Sequence, residues 1–381
     1  MMHTSLDVHA LTPLLFRDGR PFNSDGEESR AHSLPAPLPH TVAGFIRTQL
    51  GHKHGWNWRD DRAFHEYLTR LHGVSVQSLL VRDGQFMFPA PLNAAVNSAG
   101  QVLRSAPQDT HDAGTNLPAG LRPVVLQTDQ MFKPEGGYAY WSGAHMTAWL
   151  LNQNPGPLDK ITGPPTEERT HVGIDSARGV AQEQQLFSVT YRSFEEHSHH
   201  GQMHRWALRV RTNAAHEVAS LGYLGGERRP VTLQAVPEGQ VDWPDLKQFE
   251  QVKQALLNES ERRICFILTS PALFSHGWRP AWLTEDTGSH NPRGVGVLRG
   301  RATLVGASVG RRIPVSGWNI RENRPKAVRW AVPAGSVYFL ELPQDFSRTE
   351  REKLISAWLK PLSDNQNDQR DGFGSALWGV W

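Results

Sequence analysis

Residues 347–362 read SRTEREKLISAWLKPL and residues 372–381 read GFGSALWGVW, and these two stretches decide the fold of the second half of the chain. Ser347 and Glu350 have the spacing of a capping box, which predicts that a helix begins at this serine. The residues that would share one apolar face of this helix are Leu354, Ile355, Trp358, Leu359 and Leu362. Such a face has to pack on a sheet, and the glycine-punctuated stretch that follows predicts a terminal strand of that sheet.

Upstream of the capping box, the second half has a predicted helix at 243–258 and strands at 262–269, 302–306 and 328–342. The first half has strand candidates at 5–16, 171–175, 186–193, 206–211 and 231–236, with short helices from Thr41 to about residue 50 and at 213–221. Both halves fit a βαββαβ plan. The predicted fold class is α+β, with tandem ferredoxin-like (RRM-like) domains at residues 1–240 and 241–381.

Two additions to the first domain are expected. Residues 52–160 are rich in Pro, Gly, Asn and Trp and form a large insertion, with one helix at 60–71 and a hairpin whose turn contains Gly84. Residues 164–195 form a long β-hairpin with a polar, glycine-containing tip. A Pro-Gly-containing stretch at 237–240 marks the expected boundary between the two domains.

Length and composition limit the number of domains and the cellular compartment that are expected for this protein. A chain of 381 residues exceeds what one hydrophobic core usually serves, so two domains are expected. Cys265 is the single cysteine, which excludes an internal disulfide and suits a reducing compartment. The most apolar segment, 264–274, is too short to span a bilayer, and the start of the chain does not have the pattern of a secretory signal. The sequence predicts a cytoplasmic protein with no membrane partner.

Charge is balanced overall but clustered locally. The chain has 40 basic and 38 acidic residues, yet residues 293–329 contain one acid, Glu322, with two tryptophans, Trp318 and Trp330. The basic residues of this stretch are Arg293, Arg299, Arg301, Arg311, Arg312, Arg321, Arg324, Lys326 and Arg329. Such clustering is typical of a surface that binds RNA phosphates or an acidic partner protein. Within it, Arg293, Gly294 and Arg299 are candidate RNA contacts.

The specific catalytic signatures are missing from the sequence. It has no GxxxxGK[ST] loop, HExxH, CxxC or GxSxG, and GVGVLRG at 294–300 departs from the dinucleotide fingerprint. We therefore expect no catalytic residue and no cofactor. A histidine tract, His197, His199, His200 and His204, matches either a metal site or a solvated turn, and the turn is the expectation. A catalytic histidine elsewhere, such as His32 or His40, is left open by the sequence.

The glycines near the end of the chain have two interpretations. Gly372, Gly374 and Ser375 would let the backbone approach a polyanion closely and donate N–H groups to it. Alternatively, the same glycines serve a tight strand start inside a packed sheet. The sequence does not decide between these interpretations.

Taken together, the motifs resemble the RAMP superfamily of CRISPR proteins, whose glycine-rich hGhGxxxxGhh signature is matched by GFGSALWGVW. More narrowly, five stretches in order along the chain resemble the third subunit of the Cmr, or type III-B, effector. They are FRDGRPF (16–22), LPAPLPHTVAGFIRTQL (34–50), EERTHVGIDSARGVAQEQQLFSVTYRSF (167–194), GYLGGERRPV (222–231) and VPAGSVYFLEL (332–342).

This resemblance implies a non-catalytic subunit that grasps the 5′ tag of the CRISPR RNA. The implied partners are the large polymerase-like subunit, the first backbone RAMP subunit and, indirectly, the target RNA. The hairpin at 164–195 would be the thumb, with Arg169, His171 and Arg178 near the start of the spacer. The residues implied beside the tag are Arg17, Arg20, Thr41, Gly44, Arg47, Gly372 and Gly374.

Two other functions remain open at this point. Other RAMP proteins cleave CRISPR transcripts without a metal by using a histidine, so an endoribonuclease is the main rival. The other possibility is the equivalent subunit of a neighbouring type III system, or a scaffold that contacts only proteins.

Overall fold

The computed structural model describes residues 4–17, 30–57, 61–109, 114–128, 132–198, 201–214, 220–284, 292–319 and 322–381. The helices are α1 (Pro39–Lys53), α2 (Asp61–His72), α3 (Gly143–Leu150), α4 (Glu250–Leu257), α5 (Ala281–Thr284), α6 (Arg348–Ile355) and α7 (Gln366–Asp371).

The strands of the first 240 residues are β1 (Thr4–Ala10), β2 (Arg30–Ala31), β3 (Val76–Arg82), β4 (Gln85–Pro89), β5 (Ala94–Val96), β6 (Val102–Pro107), β7 (Val124–Leu126), β8 (Tyr140–Ser142), β9 (Thr166–Asp175), β10 (Val180–Arg192), β11 (Glu195–His197), β12 (Met203–Thr212), β13 (Leu221–Tyr223) and β14 (Pro230–Ala235). Those of the remainder are β15 (Arg263–Leu268), β16 (Thr303–Ser308), β17 (Ile313–Val315), β18 (Trp318–Asn319), β19 (Arg324–Pro325), β20 (Arg329–Ala331), β21 (Val337–Glu341) and β22 (Ala376–Val380).

Two antiparallel sheets form the framework. The first has the strand order β13-β14-β1-β12-β3-β4-β8, with β11 also pairing β12, and the second has the order β16-β21-β15-β22. The hairpin β9–β10 stands in a separate three-stranded sheet, in which β2 pairs with β10. These sheets and helices confirm the predicted mixture of helices and strands.

The central strand β3 of the first sheet packs on both faces, and its successive side chains point alternately to one face and the other. Leu80 of β3 packs with Val42 and Ile46 of α1 in one core cluster. Its neighbours Leu79 and Val81 point to the opposite face and join the core that also holds the second sheet. The two halves of the chain therefore share a continuous apolar core, which positions the surface features described below.

The structure corrects several predicted boundaries. Helix α1 begins at Pro39 with Leu38 as its N-cap, so the prediction that the helix starts at Thr41 is wrong by two residues. A proline suits the first helical position because its missing N–H would have no partner there. The predicted strand 328–342 is divided into β20 and β21 by a turn that contains Pro333 and Gly335.

Other elements are shorter than predicted or fall on undescribed residues. Helix α4 covers only Glu250–Leu257 of the predicted 243–258, and β1 ends at Ala10 rather than at residue 16. The predicted helix at 213–221 lies largely outside the described residues, and Leu221 begins a strand. Residues 76–89 of the predicted insertion form β3 and β4 of the first sheet, so this part belongs to the framework.

The capping box is present as predicted. The Ser347 hydroxyl accepts from the Glu350 N–H, and the Glu350 carboxylate accepts from the Ser347 N–H at 2.8 Å. Helix α6 ends at Ile355, and the buried residues Trp358, Leu359 and Leu362 continue its apolar pattern beyond the helix.

Among the helices that the structure describes, none is long and apolar enough to cross a membrane.

Candidate nucleic-acid interface

The hairpin β9–β10 carries the predicted thumb residues. Exposure alternates along β9, so that Val172 and Ile174 face solvent while Arg169 and His171 occupy the half-buried face. Arg178 lies in the turn with 81% of its side chain exposed. The structure therefore brings Arg169 and His171 together on one face and places Arg178 apart from them at the tip, 4.0 Å from Asp175.

The base of the hairpin is held by one arginine. Arg192 donates to the carbonyl oxygens of Leu34, Pro164 and Ser33 at 3.1, 3.2 and 3.0 Å. Burial lowers the pKa of this guanidinium, and the three carbonyls supply the acceptors that its burial requires. The hairpin is thus fixed at its base to the loop that leads into α1.

A polar cluster lies on the half-buried face of the hairpin. The hydroxyl of buried Tyr191 donates to Glu227 Oε2 at 2.8 Å and lies 3.2 Å from His171 Nε2. Arg229 donates to the same Glu227 oxygen at 2.6 Å. The guanidiniums of Arg229 and Arg169 lie 4.3 and 5.3 Å from the Tyr191 ring centroid. Sequence analysis selected Arg169 and His171 but missed Tyr191, Glu227 and Arg229.

The backbone that supplies Glu227 is strained. Glu227 and Arg228 have φ values of 59° and 50°, a left-handed conformation that non-glycine residues rarely adopt. Burial opposes ionisation of Glu227, but hydrogen bonds from Tyr191 and Arg229 outweigh it and lower the pKa of this carboxyl. The two adjacent arginines of the GGERRP motif are the sequence signal from which the cluster could have been found.

Helix α1 presents its three predicted residues differently. Thr41 is half-buried, and Gly44 is exposed with no atom within 4 Å of the position that a Cβ would take. Arg47 donates to Asp371 at 2.5 Å and to the Val74 carbonyl at 3.0 Å. Arg47 therefore joins α1 to α7, a role that the sequence did not predict.

The glycine-rich turn is buried between the two halves. Gly372 and Gly374 have φ values of 93° and 83°, and a Cβ on Gly372 would lie 2.6 Å from the Val76 carbonyl oxygen of β3. The Ser375 N–H donates to Ser270 Oγ at 2.9 Å, and Gln77 donates to Ser375 Oγ at 3.0 Å. Close packing, the alternative left open by the sequence, thus accounts for both glycines.

The remaining candidates near the start of the chain and in the basic stretch are scattered. Arg17 is exposed and forms a bridge with Ser33, whereas Arg20 lies outside the described residues. Arg293 is exposed, and Arg299 is half-buried. A Cβ on Gly294 would lie 2.7 Å from the Ala357 nitrogen, so packing against the residues after α6 explains this glycine too.

Part of the basic stretch is neutralised by acids. Arg301 pairs with Asp345 at 3.1 Å, Arg324 with Glu322 at 2.6 Å, and Arg329 with Asp368 at 2.8 Å. The ion pairs found among the described residues do not include Arg311 or Arg312, and both are exposed. The positive surface of this stretch is therefore narrower than its composition predicts.

One concentration of cations was missed by sequence analysis. Burial lowers the pKa of Lys360, and the neighbouring charges of Arg211 and Arg293 lower it further. Arg211 comes from β12 and Arg293 from the basic stretch, more than eighty positions apart in sequence. Asp242 and Asp245 lie near Arg211 and offset part of this positive charge, so the excess is local to Lys360 and Arg293.

Two of the candidate histidines, His204 and His40, have partners within the protein. His204 Nδ1 lies 2.6 Å from Asp83 Oδ2, and His40 stacks on Phe373 with ring centroids 5.7 Å apart. His199 and His200 lie outside the described residues. In the part of the chain that the structure describes, no group of three His, Cys, Asp or Glu side chains is placed to hold a metal.

Two antiparallel sheets share an apolar core, and the arginine-bearing hairpin forms a separate sheet, so the chain is a mixed α/β protein. The family model for CRISPR-associated protein (Cas_Cmr3) matches residues 6–381. The chain belongs to this family, and the family assignment made from sequence motifs is confirmed.

Solved structures of similar chains come from type III complexes. One is a chain of the Type III-B Cmr-beta complex bound to cognate target RNA and AMPPnP (state 1), 17% identical, with a TM-score of 0.47, covering 88% of this chain and 86% of that one. Another, from the same complex with cognate target RNA, is 16% identical over the same shares, with a TM-score of 0.48. A chain of the Csm3-Csm4 subcomplex of the type III-A interference complex is 8% identical, with a TM-score of 0.31 and coverages of 89% and 93%. Comparison with curated proteins gives no match.

Proposed function

We propose that this protein is a non-catalytic subunit of a type III-B effector and holds the 5′ tag of the CRISPR RNA. The observation that carries the proposal is the hairpin β9–β10, which forms a sheet separate from the two framework sheets and carries Arg169 beside the polar cluster and Arg178 at its tip. Single-stranded RNA is held by phosphate contacts and by stacking on planar groups, and the exposed guanidinium of Arg178 is suited to either contact.

The exposed cations support the same function. Arg311, Arg312 and Arg293 are exposed, and Arg293 lies near the half-buried Lys360 and Arg211, whose charge Asp242 and Asp245 offset in part. Contact of Arg17, Arg20, Thr41, Gly44 and Arg299 with the tag is part of the proposal. For Arg47, Gly372, Gly374 and Ser375, which pack between the halves, contact would require RNA to reach the edge of this junction.

The proposed architecture is a tandem pair of ferredoxin-like domains with a boundary near residue 240. The supporting observation is strand order. Numbered along the chain, the central strands β14-β1-β12-β3 of the first sheet run 4-1-3-2, and β22-β15-β21-β16 of the second run 4-1-3-2 as well. All of these pairs are antiparallel, as a βαββαβ plan requires.

The proposed protein partners are the large polymerase-like subunit and the first backbone RAMP subunit, with target RNA contacted indirectly. The apolar side of the hairpin, where Val172, Ile174 and Leu186 are exposed, is a surface that such an assembly would cover. Co-purification with a tagged large subunit tests this part directly. Failure to co-purify while tag binding is retained would remove the partner assignment alone.

The test of RNA binding compares tagged and untagged RNA of equal length. We expect the purified chain to bind the tagged RNA more tightly. Arg178→Ala should reduce the slope of log affinity against log salt by about 0.7, the share of one single-strand phosphate. Arg70→Ala, an exposed arginine paired with Glu66 on α2, is the matched control. Equal affinity for both RNAs would contradict the proposal.

The polar cluster gives one observation in favour of the rival function. A histidine, a tyrosine and a carboxylate within hydrogen-bond reach of one another can move protons during RNA cleavage. Incubation of the purified chain with repeat RNA distinguishes the two functions. Cleavage that His171→Ala abolishes would establish an endoribonuclease, whereas binding without cleavage agrees with the subunit proposed above.

A further inference from the structure

A cavity of about 940 Å³ lies between the two halves of the chain, away from the hairpin. Its walls are the loop 115–124, the edge strand β16 and the segment around Trp278 and Trp330. Its volume falls in the range of roughly 300–1,000 Å³ that small-ligand sites occupy. The loop belongs to the predicted insertion, whose role the sequence left open.

Two tryptophans give the cavity flat aromatic walls. Trp330 is 50% exposed, although a large aromatic side chain usually gains more from burial. The Arg312 guanidinium lies 4.4 Å from the centroid of the Trp330 ring, and the Arg279 guanidinium lies 5.6 Å from that of Trp278. A guanidinium that lies against an exposed tryptophan ring makes a flat surface on which another planar group can stack.

The charge around the cavity favours an anion. Its lining includes Arg122 and Arg312 but no Asp or Glu. Arg122 is committed to Glu341 and Asp109 at 2.7 and 2.8 Å, so its charge is largely balanced. Arg312 is exposed, and among the described residues no acid pairs with it. Arg312 is therefore the cation that a phosphate entering the cavity would meet.

We infer that this cavity binds an unpaired nucleotide of single-stranded RNA. The base stacks against Trp330, and the adjoining phosphate lies against Arg312. An apolar peptide would use the tryptophans but leave the arginine without an anion, and a free phosphate would leave the aromatic walls unused. The inference rests on the proposed RNA-binding function and adds to it a second site, distinct from the hairpin.

The test uses the full chain and three probes: a short fluorescein-labelled oligoadenylate, free AMP and a short leucine-rich peptide. Trp330→Ala should weaken oligoadenylate binding about 5- to 100-fold, the loss expected for one stacked base. Arg312→Ala should weaken it and also reduce the salt slope. Trp318→Ala is the matched variant, because Trp318 is 56% exposed in the same stretch but does not line the cavity.

Each outcome decides the inference. Selective loss with Trp330→Ala supports it, and photocrosslinking of a thiouridine-substituted oligonucleotide to peptides containing Trp278 or Trp330 would locate the contact independently. Equal loss of oligoadenylate affinity in Trp318→Ala, or no loss in Trp330→Ala, shows that the cavity is not the binding site. Neither result contradicts the proposed tag binding. Peptide binding that depends on Trp330, or AMP binding as tight as that of oligoadenylate, overturns the RNA assignment.

Further measurements distinguish a folding defect, and a failure of the proposed RNA-binding function, from a failure of the cavity assignment. If Trp330→Ala unfolds in a thermal melt, Trp330→Phe replaces it, and this variant with a smaller ring should bind oligoadenylate with intermediate affinity. Wild-type affinity in both Trp330→Phe and Arg312→Ala would overturn the inference. If the wild-type chain binds neither tagged RNA nor oligoadenylate, both proposals are wrong. If it binds tagged RNA alone, only the cavity assignment is wrong.

Discussion

Arg47 Nη1 lies 2.5 Å from Asp371 Oδ1, and this ion pair joins α1 of the first half to α7 of the second. Both side chains are about one-fifth exposed, and Arg47 also donates to the Val74 carbonyl. The pair lies beside the glycine-rich turn, so an arginine that the sequence assigned to RNA holds the junction of the two sheets together. Contact with RNA stays a prediction for this residue.

Removing this arginine should weaken the junction. Arg47→Ala leaves Asp371 partly buried without its partner, and we expect a loss of about 1–2 kcal/mol in the free energy of unfolding. Urea denaturation measures it. Arg70→Ala, which breaks the exposed pair with Glu66, should change stability by less than about 0.5 kcal/mol. Equal effects in the two variants would contradict a structural role for Arg47.

Two glycines should respond to alanine in opposite directions. Gly372→Ala introduces a Cβ 2.6 Å from the Val76 carbonyl at a positive φ, and we expect destabilisation by about 1–3 kcal/mol. Gly44 is exposed inside α1 with open space around it, so Gly44→Ala should stabilise the protein by about 0.5–1 kcal/mol. Thermal melts of both variants provide the comparison. A neutral Gly372→Ala would show that the turn is looser than described.

The buried pair of Asp7 and Arg209 makes a third test. These residues face each other on β1 and β12 and form two hydrogen bonds of 2.7 Å, with the arginine fully buried. Arg209→Leu leaves a buried carboxylate without its partner, and we expect a loss of about 3–5 kcal/mol. Replacing both residues by leucine should cost less than the single change, as a double-mutant cycle would reveal. Additive losses would mean that the pair does not act as a unit.

Lowering the pH should reduce the stability of the protein through protonation of His40. Burial lowers the pKa of His40 below its ordinary value of 6.5, outweighing the attraction of Asp371. The unfolded chain then binds the proton more readily, so this contribution to stability is present above pH 6.5 and is lost as the pH falls toward the folded pKa. Stability measured from pH 7 to 5 should fall less steeply in His40→Asn than in the wild type. The exposed His32→Asn is the control, and identical slopes in wild type and His40→Asn would refute the assignment.

The sequence predicted those elements whose signal is local. The capping box of Ser347 and Glu350 located the start of α6, and two strand candidates joined by a polar, glycine-containing tip located the hairpin β9–β10. Boundaries were missed where a single proline or glycine changes the direction of the chain. Pro39 starts α1 early, and Pro333 with Gly335 interrupts the long strand.

The candidate site was less predictable because its parts are distant in sequence. Tyr191 and Glu227 meet only when the hairpin packs against the loop before β14, and Trp278 and Trp330 line one cavity although they are some fifty positions apart in sequence. Composition showed that arginines cluster, but not which of them an acid neutralises. Asp345 and Asp368 lie outside the basic stretch and pair with arginines inside it.

The strand order of the second sheet has a consequence for how the protein is made. β15 pairs on one side with β21 and on the other with β22, so its partners are synthesised long after it. Pairing between strands so far apart is slow, because a long loop must close before any contact forms. In the first sheet the paired strands β1 and β12 lie further apart still, although all strands of this sheet have been made once β14 is synthesised. The face of β3 that carries Leu79 and Val81 and the apolar residues around Cys265 belong to one core, so both are exposed to aggregation until β22 has been made.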